Sequence, residues 1–230
     1  MSRRAFASRT GPSTRPATTC WSQRTSADLN GNRMERALLV RHGESVFSAR
    51  GLATGRVDVP CPLSERGAAQ ARALAHDISG EAIDLCVTSE LERTRETADV
   101  ALAGRTVPRL VLPELNDALY GRYEGGPLEA YLDWALANDS AAEPPGGGER
   151  RQALVARYAS GFRTIVERPE RVTLVVTHAL PIAYALMALA GRDPAPRVPL
   201  VEYTKIHAFS ARELGRAVAR LEGWCAAPSW

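Results

Sequence analysis

The chain has 230 residues, 45% hydrophobic and 24% charged, with a formal net charge of +3 at pH 7. Such proportions belong to an ordinary globular domain, and no apolar run approaches the roughly 18 residues that a membrane span needs. The charge is local: residues 1–33 hold six Arg and one Asp, a balance of +5, which leaves residues 34–230 with 23 basic and 25 acidic side chains, a balance of −2, and no basic excess for nucleic acid.

In chain order, residues 1–33 come first. They are rich in Ser, Thr and Arg, show no apolar period, and are expected to be disordered. Their composition is like that of a transit peptide, and the simpler reading is that translation starts at Met34. The lack of an apolar h-region argues against a secretory signal. Residues 34–230 then form one domain.

"RALLVRH" (36–42) reads as a buried strand, and "SERGAAQARALAHDI" (64–78) as a helix with Ala68, Ala71, Leu74 and Ile78 on one face. "IDLCVTS" (83–89) is a second strand. "ELERTRETADVALA" (90–103) is a helix, with Ser89 and Glu92 placed as a capping box. The stretch 113–151 breaks the rhythm with Tyr120, Tyr123, Tyr131, Trp134 and the turn "EPPGGGE". Such an insertion serves as a lid over a site or as a satellite packing element. "RVTLVVTH" (171–178) is a third strand, "ALPIAYALMALA" (179–190) a helix, and "PLVEYTKIHAFS" (199–210) an edge strand. Ser210 and Glu213 cap a last helix through Leu221. Alternation of this kind predicts an α/β fold, a three-layer α/β/α sandwich around a mostly parallel sheet.

Cys20, Cys61, Cys86 and Cys225 form no CxxC pair and no cluster. That argues against zinc and a disulfide framework, and points to a reducing cytoplasm. No pattern in the sequence speaks to oligomeric state.

Each strong strand stops at polar groups: Arg41–His42, Thr88–Ser89 with Arg93 just beyond, and His178. Open parallel sheets bind ligands outside the carboxyl ends of their strands, so two His and two Arg distant in sequence can converge there. The chemistry that suits them without a metal or other cofactor is phosphoryl transfer. Arg forks hold phosphate oxygens and keep their charge. Gly43 would let the backbone approach a ligand, and a neutral imidazole is a competent nucleophile near neutral pH. An alcohol leaving group then needs a carboxylic acid nearby.

"LLVRHGES" resembles the start signature of the histidine phosphatase superfamily, the phosphoglycerate-mutase-like fold. "PLSERGAAQA", "VTSELERTRETA", "LNDALYGRYEG", "PPGGGER" and "LVVTHALPI" resemble its later segments in order, over most of residues 36–225. The resemblance implies that His42 is phosphorylated and that Arg41, Arg93 and His178 hold the phosphoryl oxygens. It places the proton donor at Asp117, with Glu114 and Glu124 as the alternatives. Ser48 stands where the family often has Asn, and would be a shorter phosphate contact. Ala179 stands where Gly is usual, and its N–H could still donate; "DVPCPLSERG" carries an extra Cys-Pro.

The implied activity is metal-independent hydrolysis of a small phosphorylated metabolite, with neither nucleic acid nor membrane as a partner. A mutase of the same family is the nearest alternative, although "GRYEGGPLEAYLDWAL" does not resemble the segment that mutases carry after the acid. An inactive member acting as a binding module is the other. A nucleotide-binding domain is disfavoured, because no G-x-G-x-x-G and no Gly-Lys pair occurs.

Overall fold

The computed structural model describes residues 34–230 and Met1, so the expectations for residues 2–33 lie outside the described residues. Five strands form one sheet: β1 (Arg36–Arg41), β2 (Leu85–Thr88), β3 (Arg109–Val111), β4 (Val172–Thr177) and β5 (Ile206–Ser210). Their order is β3-β2-β4-β1-β5. The first four run parallel, and β5 closes one edge antiparallel to β1. Six α-helices accompany them: α1 (Glu65–Asp77), α2 (Glu92–Ala101), α3 (Leu128–Ala137), α4 (Arg151–Val166), α5 (Ala179–Leu189) and α6 (Ala211–Ala226).

The central strands are continuous apolar runs because both of their faces are covered. Leu38, Val40, Cys86, Leu174 and Val176 meet Leu74, Ala98 and Ala101 of α1 and α2 on one side. Leu39, Val87 and Val175 share the opposite core with Leu154 and Phe162 of α4, Ile182 of α5 and Leu221 of α6. The result is the expected three-layer sandwich. Among the described residues, no helix is long and apolar enough to cross a membrane.

Several local expectations need correction. The Ser89–Glu92 capping box does not form: α2 starts after Leu91 with no side-chain cap. Ser89 Oγ is instead engaged by His178 Nε2 at 2.9 Å and by the Leu91 N–H at 3.2 Å. The Glu92 carboxylate accepts the Cys61 N–H at 2.9 Å, which ties down the loop that holds the extra Cys-Pro. The box at Ser210 and Glu213 does form, but α6 continues past Leu221 to Ala226 because Trp224 extends its buried stripe. The edge strand begins only at Ile206: Thr204 has a φ of 55°, so the chain turns there, and its N–H reaches the Arg41 carbonyl at 2.9 Å. Strand β3 and helix α4 were not anticipated. Three residues are too few for β3 to show a pattern, whereas α4 does carry a helical apolar period in Leu154, Tyr158, Phe162 and Ile165.

Candidate active site

Sheet register decides which side chains meet. Arg41 of β1 lies opposite Thr177 of β4, and Val176 of β4 lies between Val40 of β1 and Thr88 of β2. His42, Ser89 and His178 each stand one residue past their strand, so they emerge as neighbours at the carboxyl edge. The two imidazoles are buried, with ring centroids 5.1 Å apart in an edge-on arrangement.

His42 Nδ1 sits 2.6 Å from the Gly43 carbonyl. A carbonyl only accepts, so the proton is on Nδ1 and Nε2 carries the free lone pair. Arg93 Nε donates to that Nε2 at 3.2 Å. Burial, and then the charges of Arg93 and Arg41, hold His42 well below the ordinary imidazole value, against the pull of the Gly43 carbonyl. Burial and the same cationic surroundings lower His178 as well. Its Nε2 faces Ser89 Oγ, and its Nδ1 is 3.6 Å from Asp117 Oδ2. A hydroxyl proton donated from Ser89 to Nε2 leaves the ring proton on Nδ1, on the Asp117 side.

The two arginines are held differently. Arg93, 2% exposed, spends Nη2 on the Thr54 carbonyl and on Asp117 Oδ2, each at 3.0 Å, while its buried Nη1 has no partner among the described residues. Arg41 donates from Nη1 to the Val201 carbonyl at 2.8 Å and lies 3.7 Å over the Tyr203 ring. Together with His42 and Asp117, they line a cavity of about 400 Å³. Ser48 and Ala179 also reach the wall, as do the apolar side chains Leu52, Leu128, Leu132, Leu180, Val198 and Leu200. Ser48 Oγ is 2.9 Å from Ser45 Oγ, which orients it.

Gly43 does not line that wall, and the structure gives it a further role. A Cβ there would lie 2.5 Å from the Gly67 carbonyl oxygen, and its N–H donates to Thr97 Oγ1 at 3.0 Å. The missing side chain permits helix α1 to pack against the loop that follows the strand.

The three candidate acids differ plainly. Asp117 lines the cavity. Glu124 does not: its carboxylate accepts the N–H groups of Gly55 and Tyr120, each at 3.0 Å, and burial raises it. Glu114 lies off the wall too, with a buried Oε2 lacking a partner among the described residues. The sequence reading missed what holds Asp117. Arg157 pairs with Glu149 and donates to the carbonyls of Glu114, Asn116 and Asp117 at 2.9, 2.9 and 3.2 Å, which shapes the whole acid-bearing loop. The Gly-Glu turn was a signal for one partner. The arginine eight residues later lay in the helix that was not recognised.

The insertion supplies one side of the cavity. Leu128, Glu129, Tyr131 and Leu132 of α3 line it, and the Glu129 carboxylate pairs with Arg197 Nη2 at 2.8 Å across to the loop that precedes β5. Among the described residues, no three His, Cys, Asp or Glu side chains cluster as metal ligands.

Comparison with known proteins bears on this arrangement. The family model described as the histidine phosphatase superfamily (branch 1) matches residues 37–222. The adenosylcobalamin/alpha-ribazole phosphatase of Salmonella typhimurium is 38% identical over 130 residues, which are 53% of this chain and 62% of that protein. The match thus spans less than two thirds of that relative's length. A 2,3-bisphosphoglycerate-dependent phosphoglycerate mutase from Methylobacterium is 34% identical over 69% of this chain and 82% of its own. The crystal structure of the alpha-ribazole phosphatase from Shigella flexneri superposes with a TM-score of 0.62 at 29% identity, over 75% of this chain and 89% of that one.

Proposed function

The chain belongs to the histidine phosphatase superfamily, and from that premise we propose that it hydrolyses the phosphomonoester of a small metabolite through a phosphohistidine at His42. The observation that carries this reading is the state of His42. Its Nδ1–H is pinned to a carbonyl, which leaves the Nε2 lone pair facing Arg93 Nε, and the residue lines the cavity together with Arg41 and Arg93.

In the first step, His42 Nε2 attacks phosphorus, a P–N bond forms and the P–O bond to the leaving group breaks. Arg93 turns from Nε2 to the phosphoryl oxygens, joined by Arg41, the His178 N–H and the N–H of Ala179, and these donors stabilise the transition-state charge. Once Arg93 has turned away, Asp117 takes up the proton of the phosphomonoester monoanion and passes it to the leaving oxygen. In the second step, Asp117 takes a proton from water, whose oxygen attacks phosphorus. The P–N bond breaks, and orthophosphate and the neutral imidazole return. Gly43 keeps the nucleophile loop packed, and Ser48 offers a further hydroxyl to the phosphoryl group. The insertion 113–151 covers the leaving-group side. The positive charge that a metal supplies elsewhere comes here from two arginines, so no cofactor is required. Cysteine usage and the bacterial relatives favour a cytoplasmic bacterial protein.

A phosphomonoester panel tests this reading, with orthophosphate release followed after dialysis against EDTA. Release from at least one alkyl phosphate, undiminished by the chelator, is expected. Isomerisation of phosphoglycerate faster than any hydrolysis would move the chain to the mutase reading.

A further inference from the structure

One charged side chain on the cavity wall has no part in the chemistry above. Arg151, the first residue of α4, is 4% exposed and lines the cavity. Its Nε donates to Tyr131 Oη at 2.9 Å, and its Nη1 to Tyr184 Oη at 2.8 Å. The Tyr184 hydroxyl in turn donates a hydrogen bond to the Ala195 carbonyl at 3.1 Å. The guanidinium lies 5.2 Å from the Tyr131 ring centroid. Among the described residues, its side-chain hydrogen bonds run from Nε and Nη1 to the two tyrosine hydroxyls, and no carboxylate pairs with it.

This arrangement is costly without a ligand. A buried cation is normally paired with an acid. Two neutral hydroxyls satisfy donors but bring no counter-charge. The other buried guanidinium of the cavity, Arg93, has Asp117. Arg151 shares no hydrogen-bond partner with Arg41, Arg93 or His42, so it forms a second cationic point on the same wall. The roughly 400 Å³ of cavity exceeds what a phosphoryl group alone fills, and Leu128, Leu132 and Leu180 supply apolar wall.

We propose that Arg151 recognises an anionic group, a carboxylate in the first instance, on the organic part of the substrate. The substrate class is then a phosphomonoester that carries an apolar body and a carboxylate apart from the phosphoryl group. The proposal rests on the phosphatase reading for its kinetic test, and its binding test stands independently. A planar fork with Nε and Nη1 already fixed presents Nη2 in one direction, which suits a carboxylate oxygen.

The experiment uses matched aryl phosphates of increasing reach. These are 4-carboxyphenyl, 3-carboxyphenyl and 4-(2-carboxyethyl)phenyl phosphate, each against its methyl ester, with kcat/KM measured for the full-length protein. At least one acid is expected to exceed its ester by about ten- to a hundredfold, the range of a charged hydrogen bond. Arg151→Gln is expected to bring that ratio near one, and Arg151→Lys to leave it intermediate. A purely structural arginine would slow acid and ester alike, leaving the ratio unchanged, and comparing the ratio between wild type and variant cancels leaving-group differences. If wild type prefers no acid over its ester, or if the preference survives Arg151→Gln, the proposal is wrong. If no phosphate is hydrolysed at all, the phosphatase reading fails. Calorimetric binding of the dephosphorylated hydroxy-acids against their esters then decides the anion site alone, equal binding overturning it.

Discussion

The cavity has two sides built on different principles. On the sheet side, His42, His178, Arg93 and Ser89 are buried; His42, Ser89 and His178 directly follow strands paired in register, and Arg93 stands in the first turn of α2. On the cover side, α3 and the loop before β5 present apolar side chains to the cavity and are joined by the exposed Glu129–Arg197 pair. Side chains that must be positioned within tenths of an ångström sit on the rigid element. The cover's side chains sit on segments that can change without disturbing the sheet, whereas Arg151 borders the same cavity from the buried start of α4. The contrast teaches where substitutions reduce catalysis outright and where they only shift preference.

The largest effect is expected at the centre of the rigid side. His42→Ala removes the nucleophile, and turnover is expected to fall on the order of 10⁴-fold or more, as in other sites whose members act as a unit. Steady-state assays on any accepted phosphomonoester check this, and a fall of less than tenfold would place the nucleophile elsewhere.

Next comes Asp117→Asn, whose effect depends on the leaving group. An alkoxide needs a proton and p-nitrophenolate does not, so alkyl phosphate cleavage is expected to slow about 10²–10⁴-fold and nitrophenyl phosphate far less in the phosphorylation step. Glu114→Gln and Glu124→Gln are the controls. Leaving-group dependence in either control, with none in Asp117→Asn, would transfer the role.

His178→Gln is expected to cost roughly 10²–10³-fold, the scale of one transition-state donor, with the covalent intermediate still formed. Loss of the intermediate would contradict the division of labour between the histidines.

The buried histidines also make stability depend on pH on the rigid side. Burial and nearby arginines lower both from the ordinary 6.5, so below that value the unfolded chain binds protons that the folded one does not. Their contribution is fully present above pH 6.5 and is lost as the pH falls below it. Thermal melts from pH 8 to about pH 5 are expected to show a falling Tm with a slope that flattens in His178→Gln. A flat wild-type profile would contradict the assignment of two neutral buried imidazoles.

The smallest effect is expected on the cover. Glu129→Gln breaks an exposed pair, so KM is expected to move by no more than severalfold with kcat unchanged. A large fall in kcat would show that the cover positions catalytic groups and does not merely border them.

Most of the rigid side was legible in the sequence, because apolar strands that stop at Arg, His or Ser leave little freedom about where those residues emerge. The donors that orient them were not. Arg157 shapes the acid loop from a helix that was overlooked between the insertion and β4, although Leu154, Tyr158, Phe162 and Ile165 carry its period. Ser89 has the spacing of a helix cap, yet the nearby imidazole takes its hydroxyl, a contact between residues 89 positions apart. At Gly43 the sequence motif marks the residue, but not the close approach of the Gly67 backbone that leaves no room for a side chain there. Tertiary partners of this kind have no short-range signature. The cover was visible only as a break in rhythm, since helix α3 and the loop before β5 acquire meaning through each other.

The destination of the phosphoryl group is the most direct test of a nucleophilic His42. Rapid quenching of the wild-type protein with substrate, followed by peptide mapping under alkaline conditions, locates it. The expected result is a phosphoryl group on the peptide containing His42, stable to base, lost in acid and absent from His42→Ala. A base-labile or acid-stable adduct, or one that maps to another residue, would contradict it.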